Sequence, residues 1–471
     1  MHHRSANALH HRPRSTTMST QTIDTEFRTI RSPIPHPDSQ PILDALAAEE
    51  PRSIAGFSPV VWDHAQGFQV HDAHGNKWID LTSAIILANA GHSHPHIAQA
   101  IKDQLDTGLW QHYINPAAMR LKLTRALRDI LPDHLERVLF LTTGSEAVEC
   151  AIKLMRLHGQ SIHPDKIHIL SFHNAFHGRT MAAQMAGGFD DQKNWMGLRP
   201  AGFHHIPFPD CNRCPWGKPN YQHCGRECLE RGLQSLRDRN IDEDKIAGVI
   251  TETFQGPTVS FMPPDFLDAL TQWAAPRDIL LTFDEIQAGF GRTGKWFAFE
   301  HFNVQPDIVA LGKGMTSSLP MSAVAARRSI MDLAGPSDMS STHTGNPLCA
   351  AAVIANIEVL RDEHLVDHAA QMESVLRDAL ADLQQRFPHV IRSVVGKGLA
   401  WAIDLSGPVE SPTLPDLDKH IAARCRELGV LIIPTGRRTL KIAPPLCITE
   451  PALLEAVTVI AQALEEQTAA L

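Results

Sequence analysis

Two apolar runs that stop at opposite charges constrain this chain more than any other feature. Ile279-Leu280-Leu281-Thr282-Phe283 stops at Asp284, and Asp307-Ile308-Val309-Ala310-Leu311 stops at Gly312-Lys313-Gly314. Four or five apolar or β-branched residues closed by a turn read as a buried parallel strand. Open α/β sheets bind their ligands at the carboxyl ends of such strands. Asp284 and Lys313 then stand at neighbouring strand ends, and a glycine on each side of the lysine lets a ligand come close. Taken singly, the aspartate reads as a turn former and the lysine as a solvated charge. Taken together, the pair suits pyridoxal phosphate (PLP). The lysine forms a Schiff base with the aldehyde, and the acid keeps the pyridine nitrogen protonated so that the ring draws electrons.

A chain of 471 residues exceeds one simple core and predicts two or three domains. With 43% apolar and 20% charged residues it has the balance of a soluble globular protein. No run of 18 apolar residues predicts a membrane span. A net charge of -9 argues against a nucleic-acid surface. Neither a secretory apolar region nor an Arg-rich presequence stands out, which leaves the cytoplasm as the expected location. Residues 1–40 are rich in His, Arg, Ser, Thr and Pro, lack periodicity and read as a disordered tail, with Met18 an alternative start to Met1. The alternation over 58–80, turning at Gly75-Asn76, predicts a small antiparallel meander.

Three further strands lead into polar loops. Val138–Leu141 runs into Thr142-Thr143-Gly144-Ser145-Glu146, which opens a helix. A strand, a small polar loop and a helix N-terminus make a ready anion site, and the same residues spell a capping box. Ile167–Phe172 runs into His173-Asn174-Ala175-Phe176-His177-Gly178-Arg179-Thr180, and Ile246–Ile250 into Thr251-Glu252-Thr253-Phe254-Gln255-Gly256-Pro257. Within 207–230, Cys211, Cys214, Cys224 and Cys228 follow C-x2-C-x9-C-x3-C. That spacing suits either a structural zinc or reduced thiols in a loop. His92 and His94 have ligand-like spacing but no evident third ligand, so capping and turn packing explain them better.

The stretch Asp284-Glu285-Ile286-Gln287-Ala288-Gly289-Phe290-Gly291-Arg292-Thr293-Gly294, followed by the lysine at 313, resembles the signature of the class III PLP-dependent aminotransferases. Within that family it is most similar to the 4-aminobutyrate and ω-amino acid enzymes. The resemblance implies fold type I: a large domain with a mostly parallel seven-stranded sheet flanked by helices, and a smaller α+β domain built from both termini. It divides the chain into 41–95 (small domain), 96–346 (PLP-binding domain, with a Cys-rich insertion at 207–230) and 347–471 (small domain).

The same resemblance places Thr143, Gly144 and Ser145 on the cofactor phosphate, Phe176 on the ring face, and His177, Gly178, Glu252, Ile286 and Gln287 around the ring. Asp284 and Lys313 are the catalytic pair. Thr342, in Ser341-Thr342-His343-Thr344-Gly345-Asn346-Pro347, reaches the phosphate of the other subunit, which implies a homodimer with a shared site. Ile85 and Arg179 fall at substrate-contacting positions; their plainer readings are a core isoleucine and a structural ion pair. Two positions depart from the family. Pro257 replaces a glutamate, and Lys441 replaces the arginine that clamps the substrate carboxylate with a bidentate fork. A lysine offers only a point charge there, or is merely exposed. The implied reaction is amino transfer from an ω-amino acid to a 2-oxo acid by ping-pong chemistry. A racemase or epimerase, or a phospho-lyase acting on an amino-alcohol phosphate, is the alternative on the same scaffold. Intact Asp284 and Lys313 argue against an inactive relative.

Overall fold

The computed structural model describes residues 22–54, 58–214, 216–217, 224, 226–406 and 416–469. Its centre is a sheet of seven strands: β1 (Arg137–Leu141), β2 (His168–Phe172), β3 (Phe203–Ile206), β4 (Ile246–Glu252), β5 (Leu280–Asp284), β6 (Ile308–Leu311) and β7 (Ser322–Ala326). Their spatial order is β1-β7-β6-β5-β4-β2-β3. Six run parallel, and β7 alone runs the other way between β6 and β1. Such a sheet is covered on both faces, so its strands are apolar on both sides. The side chains divide by strand alternation. Leu281, Phe283, Val309 and Leu311 join one core, and Leu280, Ile308 and Ala310 join the other.

The helix Gly144–Ile162 covers the second face through Val148, Ala151, Ile152, Leu154 and Met155. Burying each of the larger ones stabilises the fold by roughly 1.5–3 kcal/mol. The helix lies so close that a β-carbon on Gly159 would come within 2.0 Å of the Lys166 carbonyl oxygen. The helices Glu227–Asp238 and Pro264–Ala274 add Leu229, Leu233, Leu236, Phe266 and Leu270 to the first face.

The predicted meander forms as His64–Gln66, Gln69–His71 and Lys77–Asp80. Val430–Leu431, from the far end of the chain, adds to its edge parallel to Lys77–Asp80. A four-stranded sheet, including Ala400–Asp404 and Thr439–Ile442, and the helices Leu365–Arg386, Leu417–Glu427 and Glu450–Thr468 complete the C-terminal part.

One expectation needs correction. Residues 22–40 are not a tail: Thr29–Ile30 pairs with Ile23–Asp24 and with Lys77, and Arg28 Nε bonds Glu455 Oε1 at 2.6 Å. Two-residue strands are too short to show a period in sequence. The remainder of that stretch, 1–21, lies outside the described residues. No helix among the described residues is long and apolar enough to cross a membrane.

Candidate active site

Strand register brings the charged residues together. Asp284 stands opposite both Glu252 on β4 and Ala310 on β6, so the two acids lie side by side at the carboxyl edge of the sheet. Lys313 follows three residues after Ala310, in a tight turn that gives it a φ of +44°. A non-glycine residue in that region is strained, and such strain concentrates at functional sites. Above these strand ends is a cavity of about 280 Å³. Thr143, Gly144, Ser145, Phe176, His177, Gly178, Arg179, Glu252, Asp284, Ile286, Gln287 and Lys313 line it, as do Phe254 and Ala288.

At one end of the cavity the helix Gly144–Ile162 begins. Thr143 Oγ1 accepts from the Glu146 amide and Glu146 Oε2 accepts from the Thr143 amide, so the capping box is real. It holds the helix N-terminus, with its unpaired amides and positive dipole end, at the cavity wall. Gly178, at φ +136°, crosses against it; a β-carbon there would lie 2.4 Å from Ser145 Oγ. Ser145 Oγ accepts from the Arg179 amide at 3.1 Å.

At the other end, Asp284 is fixed on both oxygens. Oδ2 pairs with His177 Nδ1 at 2.8 Å and Oδ1 accepts from the Ile286 amide at 3.1 Å. Burial disfavours charge on His177, but the hydrogen bond and charge of Asp284, with Glu252 behind it, hold its pKa above the usual histidine value. Glu252 accepts from the Phe176 amide at 3.0 Å and the Gly256 amide at 2.9 Å. Burial pushes its carboxyl up to about 7, against the pull of His177. Burial also lowers the Lys313 amine, opposed by Asp284 and Glu252. A buried amine with a lowered pKa is the state a nucleophilic lysine needs.

Of the other sequence candidates, Arg179 reaches the cavity as a free cation. Its guanidinium stacks over Phe176 at 5.1 Å and donates to Gln192 Oε1 at 2.6 Å, with no acid partner among the described residues. Ile85, Thr342 and Lys441 do not line the cavity. Ile85 is exposed rather than in the core, and Thr342 lies at the surface, its carbonyl accepting from Gln111. Lys441 is buried rather than exposed, and donates to Gly256 O at 2.6 Å and Gln287 Oε1 at 2.9 Å.

Sequence reading missed Phe254 and Ala288 as lining residues and gave Arg292 no role. Arg292 is buried and ties Asn89 Oδ1 (2.7 Å), Ser83 Oγ (3.3 Å) and the carbonyls of Leu399 and Pro444 together behind the site. His92 pairs with Asp80, and His94 caps the helix Pro95–Asp106, as expected.

The four clustered cysteines are half-buried, and burial pushes Cys211 to about 11 and Cys228 to about 12. Among the described residues, the metal-capable atoms that gather within 4.8 Å in groups of three or more are those of His36, Asp38 and His74, not these thiols.

The comparisons with known proteins agree with this geometry. The family Aminotransferase class-III matches residues 53–464. The chain belongs to the class-III aminotransferases. It is 34% identical over 441 residues to the mitochondrial ornithine aminotransferase of Oryza sativa subsp. japonica, covering 90% of this chain and 85% of that one. It is 31% identical over 413 residues to the leucine/methionine racemase of Thermococcus litoralis, covering 87% and 91%. The solved omega transaminase of Pseudomonas jessenii in complex with PMP superposes with a TM-score of 0.83 at 25% identity, covering 91% and 98%. The chain is thus a PLP-dependent class-III aminotransferase of fold type I. Its cavity fits that cofactor: it offers an anion-binding helix end, an aromatic face, a fixed acid and a buried amine. At Gly144 a β-carbon would press on Ile286 at 3.0 Å.

Proposed function

We propose that this class-III aminotransferase takes its amino group from an ω-amino acid or a related amine, 4-aminobutyrate-like, and gives it to a 2-oxo acid in two half-reactions. The observation that carries the donor class is Arg179, a cavity cation with no acid partner among the described residues, placed to receive a distal carboxylate. Resemblance to the ω-amino acid enzymes supports the same donor.

When bound, PLP supplies an aldehyde that condenses with amines and a ring that accepts electrons. Thr143, Gly144 and Ser145 would hold its phosphate at the helix N-terminus. Phe176 and Ile286 would flank the ring, with His177 and Gly178 beside it and Gln287 toward the phenolic oxygen. Asp284, oriented by the His177 hydrogen bond, would hold a proton on the ring nitrogen. Lys313 would carry the cofactor at rest and, once released, move a proton at the substrate carbon, a task that suits a buried amine of lowered pKa. Glu252 fastens the loop bearing Phe176 to the loop bearing Gly256. Thr342 faces outward and would complete the site of a second copy, so the active form would be a homodimer.

The test is a screen of 4-aminobutyrate, other ω-amino acids and simple amines against pyruvate and 2-oxoglutarate. Supplied alone, a true donor should convert the cofactor stoichiometrically to its amine form. Lys313→Ala should lose both turnover and the visible absorbance of the lysine-bound cofactor. Isomerisation of an amino acid, or phosphate release from an amino-alcohol phosphate, with no oxo acid present would assign the racemase or phospho-lyase alternative instead.

A further inference from the structure

Lys441 occupies the position from which a class-III arginine would clamp a substrate carboxylate, yet here it is committed elsewhere. It lies on the strand Thr439–Ile442, is 3% exposed, and its Nζ stands 5.3 Å from the Phe254 ring centre. Two of its N–H bonds are used, by Gly256 O at 2.6 Å and Gln287 Oε1 at 2.9 Å. Glu252, Lys313 and Arg292 are the charged groups that bear on it. Burial lowers the amine to about 7, and Glu252 opposes that. Charged or neutral, the amine has enough N–H bonds for both acceptors.

Gly256 O can only accept. Gln287 is different, because a carboxamide can turn either end toward a neighbour. Beside an ammonium it must present its oxygen. Its nitrogen then lies beside Gly256, where a β-carbon would come within 2.6 Å of Nε2 and 3.0 Å of Glu252 Oε1. Gln287 and Glu252 both line the cavity, and Nε2 has no hydrogen-bond partner among the described residues. Pro257 completes the arrangement: it follows the carbonyl that Lys441 holds and brings no side-chain acid that could draw the lysine away.

We propose that Lys441 is a positioning residue that locks the Gln287 carboxamide with its NH2 end left for the cavity, so that the site presents a hydrogen-bond donor to the phenolic oxygen of the cofactor. This rests on the PLP assignment above and replaces the reading of Lys441 as a substrate clamp. A donor at that oxygen favours its anionic form and lowers the basicity of the neighbouring imine nitrogen. Loss of that donor should raise the midpoint of the cofactor titration by about one pH unit, a change of about tenfold in proton affinity.

The experiment is a pH titration of the visible absorbance of the holoenzyme in the parent, Lys441→Met, Lys441→Arg, Gln287→Leu and the Lys441→Met/Gln287→Leu double variant. The midpoint should rise by about one unit in Lys441→Met, stay near the parent in Lys441→Arg, which keeps donors, and not rise further when Lys441→Met is added to Gln287→Leu. An unmoved midpoint in Lys441→Met overturns the proposal. So does an equal shift with and without Gln287, which would mean that the lysine charge acts directly. A rise in KM for carboxylate-bearing donors alone, with the titration unchanged, would return Lys441 to the substrate-clamp role. Parent protein that shows no cofactor absorbance would remove the PLP assignment itself along with this inference.

Discussion

Lys441 also makes a prediction about the folded state that needs no cofactor. An unfolded lysine keeps its proton up to about pH 10.5, whereas burial brings the folded amine down to about 7. Between those values the unfolded chain binds the extra proton, so stability rises with pH. Lys441→Met has no proton to lose. The stability of the parent relative to this variant should therefore rise by up to roughly 1.4 kcal/mol per pH unit above pH 7 and stay level below it. Denaturant melts of the apoproteins at several pH values check this, and parallel curves would refute it. Asp284 and Lys313 were legible in sequence because each ends an apolar run. The His177–Asp284 pair was not, since 107 residues separate the partners and only the fold brings them to 2.8 Å. Lys441 shows the same limit. Its position was readable, but its direction depends on Gly256 and Gln287, which reach it from two other elements.

At the scale of elements, five of the seven central strands and the Thr143 capping box followed from local pattern, while Phe203–Ile206, Ser322–Ala326 and the strained turns did not. Ser83, Ala84, Ile85 and Ile86 all have φ between +48° and +64°, a full left-handed turn with no glycine in it. Each L-residue in that conformation costs roughly 1–2 kcal/mol, and two β-branched isoleucines are poor choices for it. Tertiary contacts impose the turn. Ser83 Oγ donates to Ala443 O at 2.6 Å, and Arg292 bonds Ser83 at the start of the turn and Asn89 three residues beyond its end. Such a segment carries no periodic signal, because nothing in its own sequence favours the shape it takes. Replacing Ala84 by glycine should relieve the strain at one residue while adding chain entropy to the unfolded state, worth about 0.5–1 kcal/mol the other way. The expected net effect is a gain of up to about 1 kcal/mol in unfolding free energy. A loss of stability in Ala84→Gly would mean that the turn is not strained there.

At the scale of the molecule, the cofactor cavity is formed by residues of the large sheet and its loops, while Thr342 stands outside it on the exposed surface. If Thr342 serves the cofactor phosphate of a second copy, each site draws its amine from one chain and its threonine from the other. Hybrid dimers separate this from a role within one chain. Consider a dimer with Lys313→Ala in one chain and Thr342→Val in its partner. Under sharing, the site with the intact Lys313 receives an intact Thr342 from the Lys313→Ala chain, while the other site has neither. The purified hybrid should then show about half the activity of the parent dimer, even though homodimers of either variant are impaired. If Thr342 served its own chain, both sites of the hybrid would carry one defect each and activity would not recover. Tagging the two chains differently and assaying the doubly captured fraction decides between the two outcomes. A sedimentation run on the same fraction confirms that the species assayed is the dimer.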